Sequence, residues 1–354
     1  MKKVLWALCA VMMLALSACN KDNPNPENVP GGGGEGGGSN PPVQTATGEG
    51  VFNPAQRLIS IAIDGTTSEE WEWANDVLTT ILTADENGNL VESSWFEYDN
   101  HRIVSMTGTL EGMPVEVGYT YSGDKLAAVS VYSGPLEVLN IAFTHNAAGK
   151  PSHLTLEINE TLLAFLPQLF GDGFPDIFNS KSTIPSKWEI NSTVFTADLA
   201  WQGDNVAQVI FNGQININAT LGEIRQMANL DSLLGSYASY LSLLGDSTVM
   251  PISVTMNDTS DFTYDNKNNP FYGFLGRLDP TVLSANNVTA SDTRVSVNLA
   301  TALDLSFMTI PLSFPLPVPV ENGSQTYSYT YNAAGFPETV TDGDGSTTQY
   351  TYQQ

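Results

Sequence analysis

The sequence predicts an all-β fold, one long antiparallel meander curled into a barrel-like or strongly bent sheet, with short helical insertions covering it. Two observations carry that expectation. A hairpin motif of nine or ten residues recurs from Trp73 to Val340. Between its copies, apolar and polar residues alternate with a period of two, as half-buried strands require.

Each copy runs from an aromatic, through a turn rich in Asn, Gly and Asp, into spaced apolar residues. The copies are Trp73–Ile81, Tyr98–Met106, Tyr121–Val129, His145–Leu154, Trp201–Val209, Tyr264–Tyr272 and Tyr331–Val340. The first four start 25, 23 and 24 residues apart, and insertions stretch the later gaps to 56, 63 and 67. The aromatic ends one strand, Asn and Gly accept the positive φ of a tight turn, and the apolar residues open the next strand. A second turn, such as Asp85–Asn89, lies between motifs. Each repeat is therefore two strands of about ten residues, and the chain a meander of about sixteen. Val115, Val117, Tyr119 and Tyr121 show the alternation, as do Ile215, Ile217, Ala219 and Leu221. Val295, Val297 and Leu299, then Leu303, Leu305 and Phe307, repeat it.

A sheet this long curls, splits or closes, and closure removes the open edges that invite aggregation. The same alternation also describes a membrane-spanning barrel, apolar outside and polar within. A lipid anchor would be redundant on such a barrel, so a water-exposed domain is the expectation. Three apolar insertions look suited to covering the sheet. Asn159–Asn179 carries Leu162, Phe165 and Leu169. Leu221–Gly245 reads as one or two short helices, with Asp231 as N-cap and Leu234, Tyr237 and Leu241 on the apolar face. Ile310–Val320 holds four prolines, which exclude a membrane helix and a central strand. These pieces either cap the sheet or line a cavity for an apolar ligand, and the second reading makes Leu162, Phe165, Leu169, Leu234, Tyr237 and Leu241 the ligand-lining residues.

The first 50 residues read as address and tether. Lys2 and Lys3, an apolar run from Val4 to Leu16, and small residues before a cut site mark a secretory signal over 1–18. Leu16-Ser17-Ala18-Cys19 resembles the lipobox of bacterial lipoproteins, which implies lipid on the Cys19 sulfur and attachment to a membrane. Cys9 leaves with the signal, so no internal disulfide is expected. From Asn20 to Gly50 there are nine glycines and five prolines. Such a segment cannot offset its ordering entropy and spans roughly 30 Å as a flexible leash. Cys19-Asn20-Lys21-Asp22 partly resembles the export signal of Bacteroidetes surface lipoproteins, which implies the cell surface; a periplasmic face is the competing reading. The single folded domain is expected over 51–354.

Tyr331–Tyr352 resembles the YD repeat of rearrangement-hotspot proteins. The whole chain resembles the Bacteroidetes lipoproteins of unknown function with a porin-like fold, a likeness that implies an outer-membrane lipoprotein and brings no catalytic residues.

Removing the signal takes the formal charge from −25 to −27, a surface that repels nucleic acid. No nucleophile elbow, phosphate-cradling loop or His-Glu-x-x-His is present. His101 and His145 fall in hairpin turns, and His153 is the third histidine. Asp342–Ser346 hints at a calcium loop but lacks the loop's sixth-position glycine and closing glutamate. Trp71, Trp73, Trp95, Trp188 and Trp201 suit sugar stacking or core packing. The resulting expectation is a non-enzymatic binding or scaffold protein with no cofactor and no metal. A carrier of a lipid or other apolar ligand is the alternative, and a glycan hydrolase using two carboxylates is the second.

Overall fold

The computed structural model describes residues 48–85, 88–110, 113–158, 189–222, 245, 247–277, 279–305, 308–315 and 323–353. Seventeen strands lie in one sheet. In chain order they are β1 Leu58–Ile63, β2 Thr66–Ala74, β3 Val77–Ala84, β4 Leu90–Asp99, β5 Arg102–Leu110, β6 Met113–Ser122, β7 Lys125–Ser133, β8 Leu136–His145 and β9 Pro151–Ile158. Then follow β10 Glu189–Gln202, β11 Asn205–Thr220, β12 Val249–Tyr264, β13 Val288–Leu305, β14 Met308–Pro315, β15 Gly323–Tyr331, β16 Pro337–Asp342 and β17 Thr347–Tyr352.

Every pairing is antiparallel, and each strand from β1 to β13 pairs with the next. The ring closes because β17 returns to β1, with Ile61 facing Tyr350 on one side and Glu69 on the other. Sixteen strands make the closed cycle. The seventeenth, β14, shares the edge of β13 with β15: it pairs with Asn298–Leu305, while β15 pairs with Ala290–Thr293. Among the described residues β14 has no second partner, the position where Pro311 and Pro315 are tolerated. Their even spacing points both missing N–H groups to one edge, so the ladder to β13 can stay intact.

The faces of the wall are sharply different. Met106, Val117, Val131, Leu139 and Ile158 lie side by side across five strands, all inward and all buried. One residue along, Gly118, Ser130, Asn140 and Glu157 form the matching outward row. Thr155, Thr196, Asn212, Asn257 and Ser296 continue an outward polar row around the barrel. This is the reverse of a membrane-spanning barrel, whose outside is apolar and whose lumen is polar. Among the described residues no helix is long and apolar enough to cross a membrane either.

The expected helical cover finds no support among the described residues. The insertions at 159–185 and 221–248 fall almost wholly outside the described residues; among the described residues helix is limited to Leu221–Gly222 and a 3-10 turn, Pro280–Leu283. The described inner face is covered instead by an irregular segment, Asp265–Asn287, linking β12 to β13. Prolines and glycines at 270, 273, 276 and 280 keep it from regular structure. Its Phe274 is 1% exposed and meets the rings of Phe52, Trp71 and Phe96 at 4.9, 5.2 and 5.5 Å. Arg277 ties it to Glu69 of β2 through contacts of 2.5 and 2.6 Å. The Tyr119 hydroxyl donates to the Leu275 carbonyl at 3.1 Å. We call this segment the plug.

Strand lengths also depart from the uniform ten residues expected. β1–β9 have six to ten residues, whereas β10–β13 have 14, 16, 16 and 18. One side of the barrel is therefore about twice as tall as the other, and the 221–248 insertion leaves from its top.

Because Phe274 is the ring on which three others pack, Phe274→Ala is expected to destabilise the domain by about 3–5 kcal/mol. Urea unfolding monitored by tryptophan fluorescence measures this; a loss below about 1 kcal/mol would show that the plug does not hold the core.

Candidate functional site

All seven motif turns lie at one end of the barrel, the end that also holds the plug and the segment 48–57. Their geometry explains the motif. Asn75 and Asp76, like Asn100 and His101, have positive φ throughout a two-residue turn, while Gly123 and Gly203 take the single positive φ of the other hairpin type. In the longer turns one side chain caps two amides. Asn146 accepts from Ala148 and Lys150, Asn332 from Ala334 and Phe336, and Asp342 from Asp344 and Ser346. The carboxylate that hinted at calcium is thus used as a turn cap.

The motif aromatic has its own role. In four of the seven motifs it donates, at the end of its strand, to a carbonyl at the start of the preceding one: Trp73 to Leu58, Tyr121 to Ile103, Trp201 to Pro151 and Tyr264 to Val206, at 2.6–2.8 Å. A cation from that same strand start covers three of these rings: Arg57 over Trp73, Arg102 over Tyr121 and Lys150 over Trp201, at 4.9–5.5 Å. Each cation also reaches an aspartate of the following turn, Asp76, Asp124 or Asp204. Those aspartates are exposed, so the ion pairs add little; the ring and its hydrogen bond do the fastening. Trp73 and Trp201 are therefore structural, as is Trp71, which is 3% exposed. Trp95 points outward, and Trp188 lies outside the described residues.

The histidines do not converge. His145 contacts the Glu49 carboxylate at 3.0 Å, His153 contacts Asp198 at 2.6 Å on the outer face, and His101 occupies a turn. Among the described residues no three His, Cys, Asp or Glu side chains form a metal-holding group. Cys19 and the expected lining residues Leu162, Phe165, Leu169, Leu234, Tyr237 and Leu241 lie outside the described residues.

What the structure assembles is a cavity of about 270 Å³ between the plug and the inner face of β12, β13, β15 and β17. Sequence reasoning missed it. Along β12 the inward positions run Met250, Ile252, Val254 and Met256, then change to Asp258 and Ser260 before Phe262. Asp258 faces Phe211 on one side and Val295 on the other, a carboxylate within an apolar row. Opposite it the β13 and β15 walls offer Ser291, Thr293, Gln325, Tyr327 and Tyr329, and the plug supplies Asn269, Phe271 and Asp279. The legible signal was a break in inward alternation, Asp258-x-Ser260, inside a strand that is otherwise apolar on that face.

Asp258 is 5% exposed, and its side-chain contact is one long hydrogen bond, 3.4 Å, from the Ser260 hydroxyl. Burial raises its pKa to about 6, with Ser260 opposing the shift. Asp279 caps the 3-10 turn, accepting from the Thr281 amide at 2.7 Å. Burial raises its pKa too, offset by the Thr281 hydrogen bonds and by Arg277. Among the described residues neither acid forms an ion pair, and Arg277 is held by Glu69. The phenol of Tyr350 is pushed up to about 12 by burial.

A second space, an open cleft of about 880 Å³, lies at the motif end between the 48–55 segment, three motif turns and the outer side of the plug. Trp201 and the half-exposed Tyr272 line it. Asn269 lines both spaces, donating to the carbonyls of Thr281 and Ser284 at 2.9 Å.

No protein-family model and no curated protein matches this chain. Among solved structures, a porin-like protein from Bacteroides uniformis is similar over 85% of this chain and 98% of that one, at 11% identity and a TM-score of 0.25. A likeness that loose carries no argument, and the barrel is read from its own pairing.

The acid in the apolar row has a measurable consequence. A pKa raised from 3.8 to about 6 means that the folded state holds this proton more tightly than the unfolded state. Stability is therefore lost as pH rises from about 4 through about 6, by on the order of 2–3 kcal/mol. Asp258→Asn is expected to raise the Tm of ligand-free protein at pH 8 and to leave it unchanged near pH 4. Equal Tm values at both pH values would show that Asp258 is not desolvated.

Proposed function

We propose that this chain is a lipid-anchored receptor that binds a small ligand inside its barrel and does not turn it over. The observation that carries the reading is the inner cavity, where a packed apolar interior gives way to two acids, seven hydroxyl or amide side chains and several aromatic rings. Ordinary ligand pockets are concave, largely apolar and marked by a few placed polar groups, and their volumes run from ~300 Å³ upward. A cavity of about 270 Å³ suits a small molecule rather than a polymer or an acyl chain. This shifts the expected ligand away from the apolar one drawn from the insertions.

The address rests on the sequence: the lipobox ending at Cys19, the glycine-rich leash, and the lysine and acid that follow the cysteine. We place the domain on the outer membrane, facing outward. Gly48 and Gly50 lie at the motif end of the barrel. Gly50 is required there, because its φ is +81° and a Cβ would fall 2.0 Å from the Tyr121 hydroxyl. The polar outer rows suit a domain surrounded by water.

Two measurements test the reading. Native mass spectrometry of protein released gently from its source membrane is expected to show a retained small molecule, absent from Thr293→Trp, which fills the cavity. A bare wild-type mass, with no Tm rise in a small-molecule panel, would contradict the receptor, and release of sugar from glycans would contradict its lack of turnover. For the anchor, labelled palmitate is expected to enter the wild-type chain and not Cys19→Ala.

A further inference from the structure

We propose that the cavity's ligand is a small organic cation, a protonated amine or quaternary ammonium group, held between Asp258 and Asp279 and against the rings of Phe262, Phe271, Tyr329 and Tyr350. The inference deepens the receptor reading above and rests on it.

The argument begins with charge. A carboxylate moved out of water loses several kcal/mol of solvation unless a partner replaces it. Asp258 stands in an inward row where its neighbours are Phe211 and Val295, and a methionine or valine would fill the position at no such cost. Its contact is one hydroxyl at 3.4 Å. Asp279 has the amide and hydroxyl of Thr281, and Arg277, whose charge it feels, is committed to Glu69. Two acids thus share a space of about 270 Å³ with no ion-pair partner among the described residues. A ligand that brings positive charge supplies what the walls lack.

The remaining lining narrows the class. Aromatic faces attract cations through their ring quadrupole, and more strongly when water is excluded. The barrel shows this at Phe271, whose ring carries the Arg277 guanidinium at 4.6 Å. A bare calcium ion fits poorly, since it needs six to eight oxygens at ~2.3–2.6 Å and rings supply none. A neutral sugar would find hydroxyl partners but would leave both carboxylate charges uncompensated. The formal charge of −25 on the whole chain adds a field that draws cations toward the cleft.

The test uses the mature chain carrying Cys19→Ala, dialysed free of ligand. Isothermal titration compares choline and benzylamine with 3,3-dimethylbutan-1-ol, the uncharged carbon isostere of choline. The expected result is that choline binds about tenfold or more tightly than the isostere, the gap that ~1.4 kcal/mol of charge recognition produces. Asp258→Asn is expected to erase that preference, while Asp198→Asn, a surface acid removed as a control, is expected to keep it. Choline and isostere binding alike, or a preference that survives both Asp258→Asn and Asp279→Asn, would overturn the cation. Binding of neutral compounds alone would leave the receptor standing without the cation. Stabilisation by calcium and not by the amines would replace the amine with a metal. If wild-type protein binds no compound and retains none from its source membrane, both readings fall.

Discussion

The structure depends on how a ring of sixteen strands is filled. Barrels of that size closed symmetrically leave an open lumen, which porins fill with water. Here the inward residues are apolar, so an empty lumen would expose the core to solvent. The plug removes that difficulty. Phe274 occupies the centre of an aromatic group built from β2, β4 and the segment before β1, and Arg277 fixes the plug to Glu69. The cavity marks where the filling stops, beside the taller β12–β13 wall. The two acids at that place are what set it apart from a simple packing defect, since a defect lined by apolar groups would have no charge to satisfy.

Local chemistry at the motif end supports the same arrangement. Four of the seven motif aromatics, Trp73, Tyr121, Trp201 and Tyr264, return their one polar group to the preceding strand start, and a cation from that start lies over the ring in three of them. The ring is half-buried, its N–H or O–H is satisfied, and the cation stem covers it. That combination explains why Trp and Tyr exchange freely in the motif. Both are flat, apolar and able to donate from the far edge. His145 and Tyr331 depart from the pattern: the Tyr331 hydroxyl donates to Asp265, and His145 meets Glu49, one of several contacts by which the 48–57 segment joins the rim.

Much of the wall was legible in the sequence. Turn residues such as Asn75-Asp76 and Gly123-Asp124 gave the hairpins, and period-two runs such as Val115–Tyr121 gave the inner face. Closure was not legible, because the pairing of Ile61 with Tyr350 joins residues at opposite ends of the chain and no local pattern encodes it. The plug was missed for a different reason. Asp265–Asn287 begins with a motif turn and contains Phe271, Tyr272 and Phe274, which read as another strand start. The site was hidden because an inward Asp258 is visible only once the faces of β12 are assigned. The insertions are conspicuous for their apolar content, but the strand pattern does not determine their placement.

The functional reading follows from one physical statement: the interior is apolar and plugged, and the exceptions to that rule lie together. Hydrogen exchange of the mature chain tests that statement most directly, because an amide within a plugged core opens only with the domain. The account predicts that the amides of Gly273, Phe274 and Leu275 exchange as slowly as those of β6 and β7. Exchange at the rate of freely exposed amides would mean that the plug does not reside in the barrel, and the cavity it bounds would go with it.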